Sequence, residues 1–228
     1  MENDTPPPVN LNDAVTSLRT PSPVSEESTA PPKIVDRATV SPTVAVERTS
    51  RLGSIWVVST AGESFAGYRV GEELVGIGTQ MAVGRTSEIT GILRFDGKTI
   101  TAVDIEVNLV SLQSDDSRRD RQLRRRGLET NRFPVSIFTL TDPILVGPIP
   151  SEGESFAAIT VGELTLHGVT RVVSIDLSGQ LVGALVVVVG STEVQFADFG
   201  IVPPTSLKVL SVDDHGTLEF QVTFESAN

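Results

Sequence analysis

Strict alternation of apolar and polar residues in two segments, residues 103–109 and 218–224, constrains the fold more than any other feature of the sequence. A period of two places the apolar side chains on one face of an extended chain, so both segments are predicted to be β-strands with one dry and one wet face. Just before Val103 the apolar positions shift by one residue, which predicts a β-bulge there. The inward-facing candidates are Val103, Ile105, Val107, Leu109, Leu218, Phe220, Val222 and Phe224.

Short apolar segments separated by glycine- and aspartate-rich turns continue through most of residues 54–224. The dipeptide Asp96-Gly97, for example, predicts a two-residue hairpin turn. About eight or more strands with mostly short connections predict an all-β fold, either an antiparallel barrel or a sandwich. A closed barrel of eight strands has no exposed edge, and it is just wide enough to be filled by side chains or to hold one small ligand. The alternation alone does not distinguish a barrel filled by its own side chains from one that holds a ligand.

The first 52 residues differ in composition, because they hold eight of the fourteen prolines among many Ser and Thr residues. Such a segment buries too little apolar surface to offset the entropy of ordering it, so residues 1–52 are predicted to form a disordered or extended arm. A weak helix over residues 9–18, capped by Asn12 or Asp13, is the one ordered element expected in this arm. Residues 53–228 are predicted to form the barrel domain.

The chain has a formal net charge of −11 and no cysteine. The acidic balance argues against general affinity for nucleic acid or anionic membranes, since phosphate binding relies on many cations. Without cysteine, disulfides and thiolate chemistry are excluded. No signal peptide is visible at the start, and the longest apolar run, residues 181–189, is about half of a membrane span and is predicted to be a buried strand.

One charged segment, residues 115–138, interrupts the pattern of strands. Its seven arginines are Arg118, Arg119, Arg121, Arg124, Arg125, Arg126 and Arg132. A cap within residues 115–117 and an end at Gly127 predict a short helix. The arginines either form a solvated helix face or border a cavity mouth and hold an anionic head group through bidentate hydrogen bonds. No aromatic residues alternate with them, so a platform for nucleic-acid bases is not favoured.

Catalysis finds little support in the sequence. The two histidines, His167 and His215, each precede a glycine and are predicted to be solvated turn residues. They form no metal site of recognisable spacing, and the motifs of nucleotide-binding enzymes and serine hydrolases are absent. A weaker alternative is an enzyme that uses Asp120 or Asp198 in a pocket.

Four elements, in order along the chain, carry a family resemblance. They are Arg119-Asp120-Arg121-Gln122-Leu123, Pro134 with Phe138, the stretch GELTLHGVTRVV at residues 162–173, and Asp198-Phe199-Gly200-Ile201. Together they resemble the signature of the YceI-like family, a lipocalin-like family that binds polyisoprenoids. The resemblance covers residues 55–224. Gln122 stands where the family usually has histidine, and Phe196 stands where an arginine often precedes Asp-Phe-Gly.

The resemblance implies a lipocalin-like antiparallel β-barrel of about eight strands with one short helical excursion. Its apolar interior would hold a long-chain isoprenoid-like or quinone-like lipid for storage, transport or sensing, without a cofactor, a metal, catalysis or nucleic acid. Members are generally exported, so a periplasmic or extracellular location is expected, and a homodimer is one option for the assembly. The alternative is a protein-interaction or stress-response ectodomain with a filled barrel that docks a partner through its arginine-rich loop.

Site residues follow from this interpretation. The residues expected to line the cavity are Val103, Ile105, Val107, Leu109, Phe133, Phe138, Leu218, Phe220 and Val222. Those expected at the cavity mouth are Arg118, Arg119, Asp120, Gln122, Arg125 and Arg132.

Overall fold

The computed structural model describes residues 5–19, 55–147, 151–204 and 209–227. Within these ranges the chain forms two α-helices, α1 (Leu11–Arg19) and α2 (Ser117–Gln122), and thirteen strands. The strands are β1 (Ile55–Val58), β2 (Phe65–Leu74), β3 (Gly78–Thr86), β4 (Ile89–Phe95), β5 (Thr99–Asn108), β6 (Gln113–Ser114), β7 (Val135–Leu140), β8 (Ile144–Leu145), β9 (Ser155–Leu166), β10 (Val169–Val182), β11 (Leu185–Gln195), β12 (Val209–Val212) and β13 (His215–Ser226). None of the helices in these ranges has the length and apolar character needed to cross a bilayer.

The strands close into an antiparallel barrel. Among the described residues, eight strands follow one another around it in the order β1, β4, β5, β7, β9, β10, β11 and β13, and β13 pairs back with β1. Strand β2 pairs with the first part of β13 and β1 with its last part, so β1 and β2 share one position in the barrel wall. The hairpin of β2 and β3 extends the wall at one end. This arrangement confirms the predicted all-β barrel.

The antiparallel register defines two ends of the barrel. Strands β2, β5, β9 and β11 end where β4, β7, β10 and β13 begin, and this end, which we call the upper end, also carries α2. The lower end carries the β4–β5 turn and β8, since Leu145 in β8 pairs with Thr99 at the start of β5. The distinction matters because the polar and charged features described below gather at the upper end.

Two local predictions about β4 and β5 have different outcomes. Arg94 pairs with Ala102 and Phe95 with Ile100, so Thr101 is the extra residue of a β-bulge, which confirms the predicted shift of phase. The turn at Asp96-Gly97 has three residues rather than the two predicted. The Asp96 carboxylate accepts hydrogen bonds from the backbone N–H groups of Lys98 and Thr99 at 2.9 and 2.7 Å, which stabilises this wider turn.

The apolar run at residues 181–189 was predicted to be one buried strand, and this is wrong. Strand β10 ends at Val182 and β11 begins at Leu185, so the run forms both sides of a hairpin. Gly183 turns the chain with a φ of 60°, a conformation that glycine adopts without steric cost. The valines that follow alternate between the two faces of β11.

Helix α1 packs on the outside of the barrel, against the outward-facing valines of β11. Val187 and Val189 are 0% and 6% exposed, and they form one cluster with Ala14 of α1. The predicted helix is therefore confirmed, but its cap is Asn10, whose side-chain oxygen accepts a hydrogen bond from the backbone N–H of Asp13 at 2.9 Å.

Residues 11–19 are thus the one ordered element expected within the predicted arm, and the apolar stripe on β11 gives this helix a surface to bury. Residues 20–54, and with them most of the predicted arm and its boundary with the domain, lie outside the described residues.

Candidate functional site

The barrel encloses a cavity of about 830 Å³. A volume of this size is in the range of pockets that bury a whole small-molecule ligand. The wall is mainly aliphatic and aromatic, because the alternation along β5 and β13 directs every second side chain inward. A barrel interior filled by its own side chains, as the alternative interpretation required, is not what the structure contains.

The predicted lining residues mostly face this cavity. Eight of the nine contribute to its wall, and they are Val103, Ile105, Val107, Leu109, Phe138, Leu218, Phe220 and Val222. That they contact a ligand stays a prediction. The ninth, Phe133, is not part of the wall, and its position is described below.

Polar side chains enter the cavity wall at the upper end. Glu72 of β2 is 6% exposed, and its carboxylate accepts a hydrogen bond from the Arg119 guanidinium of α2. Arg119 also donates to Asp115. Burial alone would lower the pKa of the Arg119 guanidinium, but the hydrogen bonds and charges of Glu72 and Asp115 outweigh it and raise this pKa. Arg119 therefore keeps its charge, and its contact with Glu72 holds α2 over the mouth.

Tyr68 brings a hydroxyl into the same part of the wall. Its Oη atom is buried and has no hydrogen-bond partner among the described residues. Burial raises the pKa of the Tyr68 phenol above its ordinary value of 10.0 and outweighs the nearby Arg119, which lowers it. Buried hydroxyls nearly always have a hydrogen-bond partner. The neutral Tyr68 hydroxyl is therefore available to donate a hydrogen bond to a polar group inside the cavity.

Helix α2 begins as the sequence predicted, and its acidic residues hold it in place. The Asp116 side chain caps the helix by accepting from the backbone N–H of Arg118 at 2.7 Å. The Asp120 carboxylate accepts from the backbone N–H and the hydroxyl of Ser114, at 3.0 and 2.7 Å. Asp120 is thus a buried structural residue rather than part of the cavity mouth, which corrects its predicted role. A π-helical turn, Leu123–Gly127, then ends the excursion at the predicted Gly127.

The predicted mouth residues divide between wall and surface. Arg118, Arg119 and Gln122 line the cavity, whereas Arg125 and Arg132 do not. Arg125 is exposed to solvent, as the alternative of a solvated helix face implied. The guanidinium of Arg132 stacks 4.9 Å from the centre of the Phe133 ring. Neither residue contributes to the cavity wall, and their predicted place at its mouth stays a prediction.

Phe133 packs in a cluster beside the barrel's upper rim. Its ring meets the His167 ring edge to face, with 4.6 Å between centroids. His167 lies 3.1 Å from the Phe199 carbonyl oxygen through Nδ1 and 3.0 Å from a Glu129 carboxylate oxygen through Nε2. The prediction of a solvated His167 is therefore wrong, since this residue joins three segments. Phe133 is missing from the cavity wall because it covers this histidine instead.

The two remaining polar candidates, His215 and Asp198, lie outside the cavity wall. His215 has a half-exposed side chain that bonds to Asp214 at 2.9 Å. Asp198 is exposed on a 3-10 turn, Phe196–Phe199, outside the cavity wall. In the described ranges, no three histidine or carboxylate residues are grouped as a metal ion would require.

Sequence reasoning missed Tyr68 and Glu72. Both lie on the inward face of β2, where the alternation of residues 66–74 is obscured because Gly67 and Gly71 occupy two of the outward positions. The presence of a tyrosine and a glutamate in phase with Ala66 and Val70 was the available signal. The two departures from the family pattern, Gln122 and Phe196, both line the cavity.

Comparison with known proteins agrees with this fold. A family model described as the YceI-like domain matches residues 56–224. A UPF0312 protein of Shewanella baltica is 31% identical over 103 residues, which is 44% of this chain and 50% of that protein. A UPF0312 protein of Photorhabdus laumondii is 27% identical over 138 residues, covering 59% of this chain and 65% of that protein. The alignments thus span only about half to two thirds of these relatives.

Solved structures share the barrel at lower identity. A polyisoprenoid-binding domain from Saccharophagus degradans superposes with a TM-score of 0.58 at 16% identity, covering 76% of this chain and 98% of that domain. The protein BcnA of Burkholderia cenocepacia gives a TM-score of 0.54 at 16% identity, covering 73% of this chain and 98% of BcnA. These likenesses establish the fold that the two proteins share with this chain.

Proposed function

This chain belongs to the YceI-like family, and on that premise we propose that its barrel binds one long-chain isoprenoid-like lipid or a similar amphiphile, such as a quinone. The tail lies in the apolar cavity and the polar end faces Tyr68 and the pair of Glu72 and Arg119. One of the structural neighbours, from Saccharophagus degradans, is itself described as a polyisoprenoid-binding domain.

The observation that carries the proposal is the cavity, about 830 Å³ in volume and lined mainly by apolar side chains. Each methylene group transferred from water into such a wall contributes about 0.8 kcal/mol. Ten buried methylenes would contribute roughly 8 kcal/mol before the cost of immobilising the chain is subtracted. A long hydrocarbon tail thus supplies enough free energy for binding without a charged head group.

The polar residues at the upper end give the bound lipid a direction. The Tyr68 hydroxyl, which has no hydrogen-bond partner within the described ranges, can donate to a carbonyl, hydroxyl or phosphate oxygen. Arg119 already has two carboxylate partners, so it orients the site more than it attracts a further anion. This favours lipids with a neutral or weakly polar end over those that require full charge neutralisation inside the barrel.

The proposal is a binding function for storage, transport or sensing, and it needs no catalytic group. A periplasmic or extracellular location is proposed from the family alone, and cell fractionation tests it. The alternative of an interaction domain with a filled barrel disagrees with the open cavity.

Mass spectrometry of an organic extract of the natively purified protein tests the function. A stoichiometric polyprenyl or quinone-like species is the expected result. Because an expression host can lack the ligand, protein from which lipid has been stripped is also incubated with a long-chain polyprenol and with ubiquinone. Failure to take up either probe would contradict the proposal.

A further inference from the structure

Exposed aliphatic side chains border the mouth of the cavity. Val75 and Ile77, at the tip of the β2–β3 hairpin, are 52% and 66% exposed. Leu210 of β12, whose neighbour Val209 pairs with Leu74 of β2, is 59% exposed. Val202, which lies between two cavity-lining residues, is 71% exposed. We call these four residues the apolar rim.

Unneutralised arginines lie at the same end. On α2 and the π-helical turn, Arg118, Arg121, Arg125 and Arg126 are exposed. None of these four has a carboxylate within ion-pair distance among the described residues, in contrast to Arg119. The segment is joined to the rim, because Gly127 packs near Pro204 and both residues line the cavity. We call the four exposed residues the arginine face.

Charge in this domain is strongly segregated. Of its thirteen lysines and arginines between residues 55 and 228, seven lie within residues 118–132. The chain as a whole has a net charge of −11, so most of its surface is repelled by an anionic surface. Such a distribution orients the molecule as it approaches an anionic surface, so that the arginine face makes the first contact. Asp213 and Asp214 follow β12 and carry negative charge on that side of the mouth. Attraction to an anionic surface is therefore confined to the side that carries α2.

From this juxtaposition we propose that the upper end of the barrel is a docking surface for an anionic lipid bilayer. The apolar rim inserts among the lipid head groups, and the arginine face contacts their phosphates. Peripheral proteins bind membranes through this combination of apolar insertion and electrostatic attraction. The inference rests on the proposed function in one respect: it places the mouth of a lipid-holding cavity against the source of the lipid.

A bilayer fits these observations better than an acidic protein. An acidic partner would account for the arginines, but it would leave the aliphatic rim exposed at the entrance of an apolar cavity. Aliphatic residues beside a lipid-sized opening match the hydrocarbon of a membrane, and the net acidity that argues against general membrane affinity limits contact to this end. If the partner is a bilayer, the protein should bind vesicles that contain no other protein. If the partner is an acidic protein, it should not.

Flotation with protein-free vesicles tests the proposal. The full chain is mixed with vesicles of phosphatidylglycerol and phosphatidylcholine, or of phosphatidylcholine alone, at about 50 mM and about 500 mM NaCl. Binding is expected to the anionic vesicles at low salt, and it should weaken strongly at high salt, where the screening length is much shorter. The doubly substituted variants Val75→Glu/Leu210→Glu and Arg121→Glu/Arg125→Glu should each lose about tenfold or more in vesicle affinity.

Matched substitutions at other places on the surface serve as controls. Leu145→Glu changes an aliphatic residue that is 68% exposed at the lower end, and Arg94→Glu/Lys98→Glu reverses two exposed charges there. Both should bind vesicles as the unsubstituted protein does. No binding to anionic vesicles at low salt, or equal losses in rim and control variants, would overturn the proposal.

The substituted rim and arginine residues do not line the cavity, so the variants should retain their lipid. Lipid content, measured by extraction of the same samples, therefore separates the two claims. Loss of vesicle binding with lipid retained is the expected result for the rim and arginine variants. An empty cavity with intact vesicle binding would count against the proposed function and leave the docking surface standing.

Discussion

Arg119 of α2 donates a hydrogen bond to Glu72 of β2, across the mouth of the cavity. The side chains are 17% and 7% exposed, so the contact is largely removed from solvent. It connects the most irregular segment of the chain to a strand of the barrel wall. The height and position of α2 over the cavity therefore depend on this pair and on the hydrogen bonds between Asp120 and Ser114.

Replacing Arg119 by methionine should lower the free energy of unfolding by about 2–3 kcal/mol. Removing one partner of a buried pair leaves an uncompensated charge on Glu72, at a cost of about 3–5 kcal/mol when burial is complete. Partial exposure of Arg119 reduces that figure. Urea unfolding followed by fluorescence of the single tryptophan measures the change.

The control for this variant is Arg118→Met on the same helix. Arg118 is exposed and has no ion-pair partner among the described residues, so its substitution should change stability by less than about 0.5 kcal/mol. Equal effects of the two substitutions would show that the contact with Glu72 does not stabilise the fold.

The ionisation of Tyr68 can be followed directly, because it is the only tyrosine in the chain. Burial raises its pKa, so the folded protein should show no phenolate absorbance at pH 10.0, the ordinary pKa of the group. The unfolded chain ionises near that pH while the folded protein keeps its proton, so the stability contributed by neutral Tyr68 is complete below pH 10 and declines as the pH rises further. Spectrophotometric titration at 295 nm in the presence and absence of denaturant measures both states.

Tyr68→Phe provides the matched comparison. The variant should lose stability less steeply above about pH 10, because it lacks the group whose pKa is raised. It should also bind a quinone more weakly than the unsubstituted protein while binding a plain hydrocarbon chain equally well. A normal titration of Tyr68 in the folded protein would contradict the burial of its hydroxyl.

Helix α1 should detach when its buried face is made polar. The helix has nine residues, which is too short to be stable by itself in water. Ala14 is 2% exposed, and Ala14→Glu would place a charge against Val187. Hydrogen exchange of residues 11–19 should become faster by about tenfold or more, and exposure of the β11 valines should cost roughly 2 kcal/mol of barrel stability.

Asn12→Glu introduces the same side chain on the exposed face of this helix and should leave hydrogen exchange unchanged. Unaltered protection in Ala14→Glu would mean that the packing of α1 on β11 is not what orders the helix.

The barrel was predictable because one physical regularity determines most of it. The alternation in β5 and β13 identifies the inward-facing residues, and the shift of phase before Val103 locates the bulge at Thr101. Both consequences follow from the period of two in a strand, which requires no knowledge of distant contacts. The apolar wall of the cavity was accessible from the sequence for the same reason.

The irregular segments were not predictable in this way, because tertiary contacts decide them. Phe133 is as apolar as Phe138, but it covers His167 rather than the cavity. Asp120 lies in an arginine-rich sequence, yet it bonds to Ser114 and is buried. For α1, composition indicated an arm without a core, and only the outward-facing valines of β11, which the helix covers, explain why it packs.

A charged residue at position 138 should abolish lipid uptake. Phe138 lines the cavity, and its ring packs so closely against Gly162 that a side chain on residue 162 would collide with the ring. Phe138→Lys would put an ammonium group into an apolar wall. Uptake of a fluorescent polyprenol analogue measures the loss. Phe138→Ala, which only enlarges the cavity, should retain uptake.

The neighbouring residue supplies the control. Ile137 faces outward on the same strand and is 41% exposed, so Ile137→Lys should bind the analogue normally. Normal uptake by a folded Phe138→Lys protein would remove this residue from the binding site.

Native mass spectrometry of the intact protein with a long-chain polyprenol measures the central claim, the binding of one lipid inside the barrel. The substitution Val107→Phe narrows the cavity from within, whereas Val172→Phe makes the same change at an outward position that is 67% exposed. We expect one bound polyprenol per chain in the unsubstituted protein and in Val172→Phe, and a marked loss in Val107→Phe. Binding of the lipid to all three proteins with equal affinity would contradict the account, because the lipid would then lie outside the barrel.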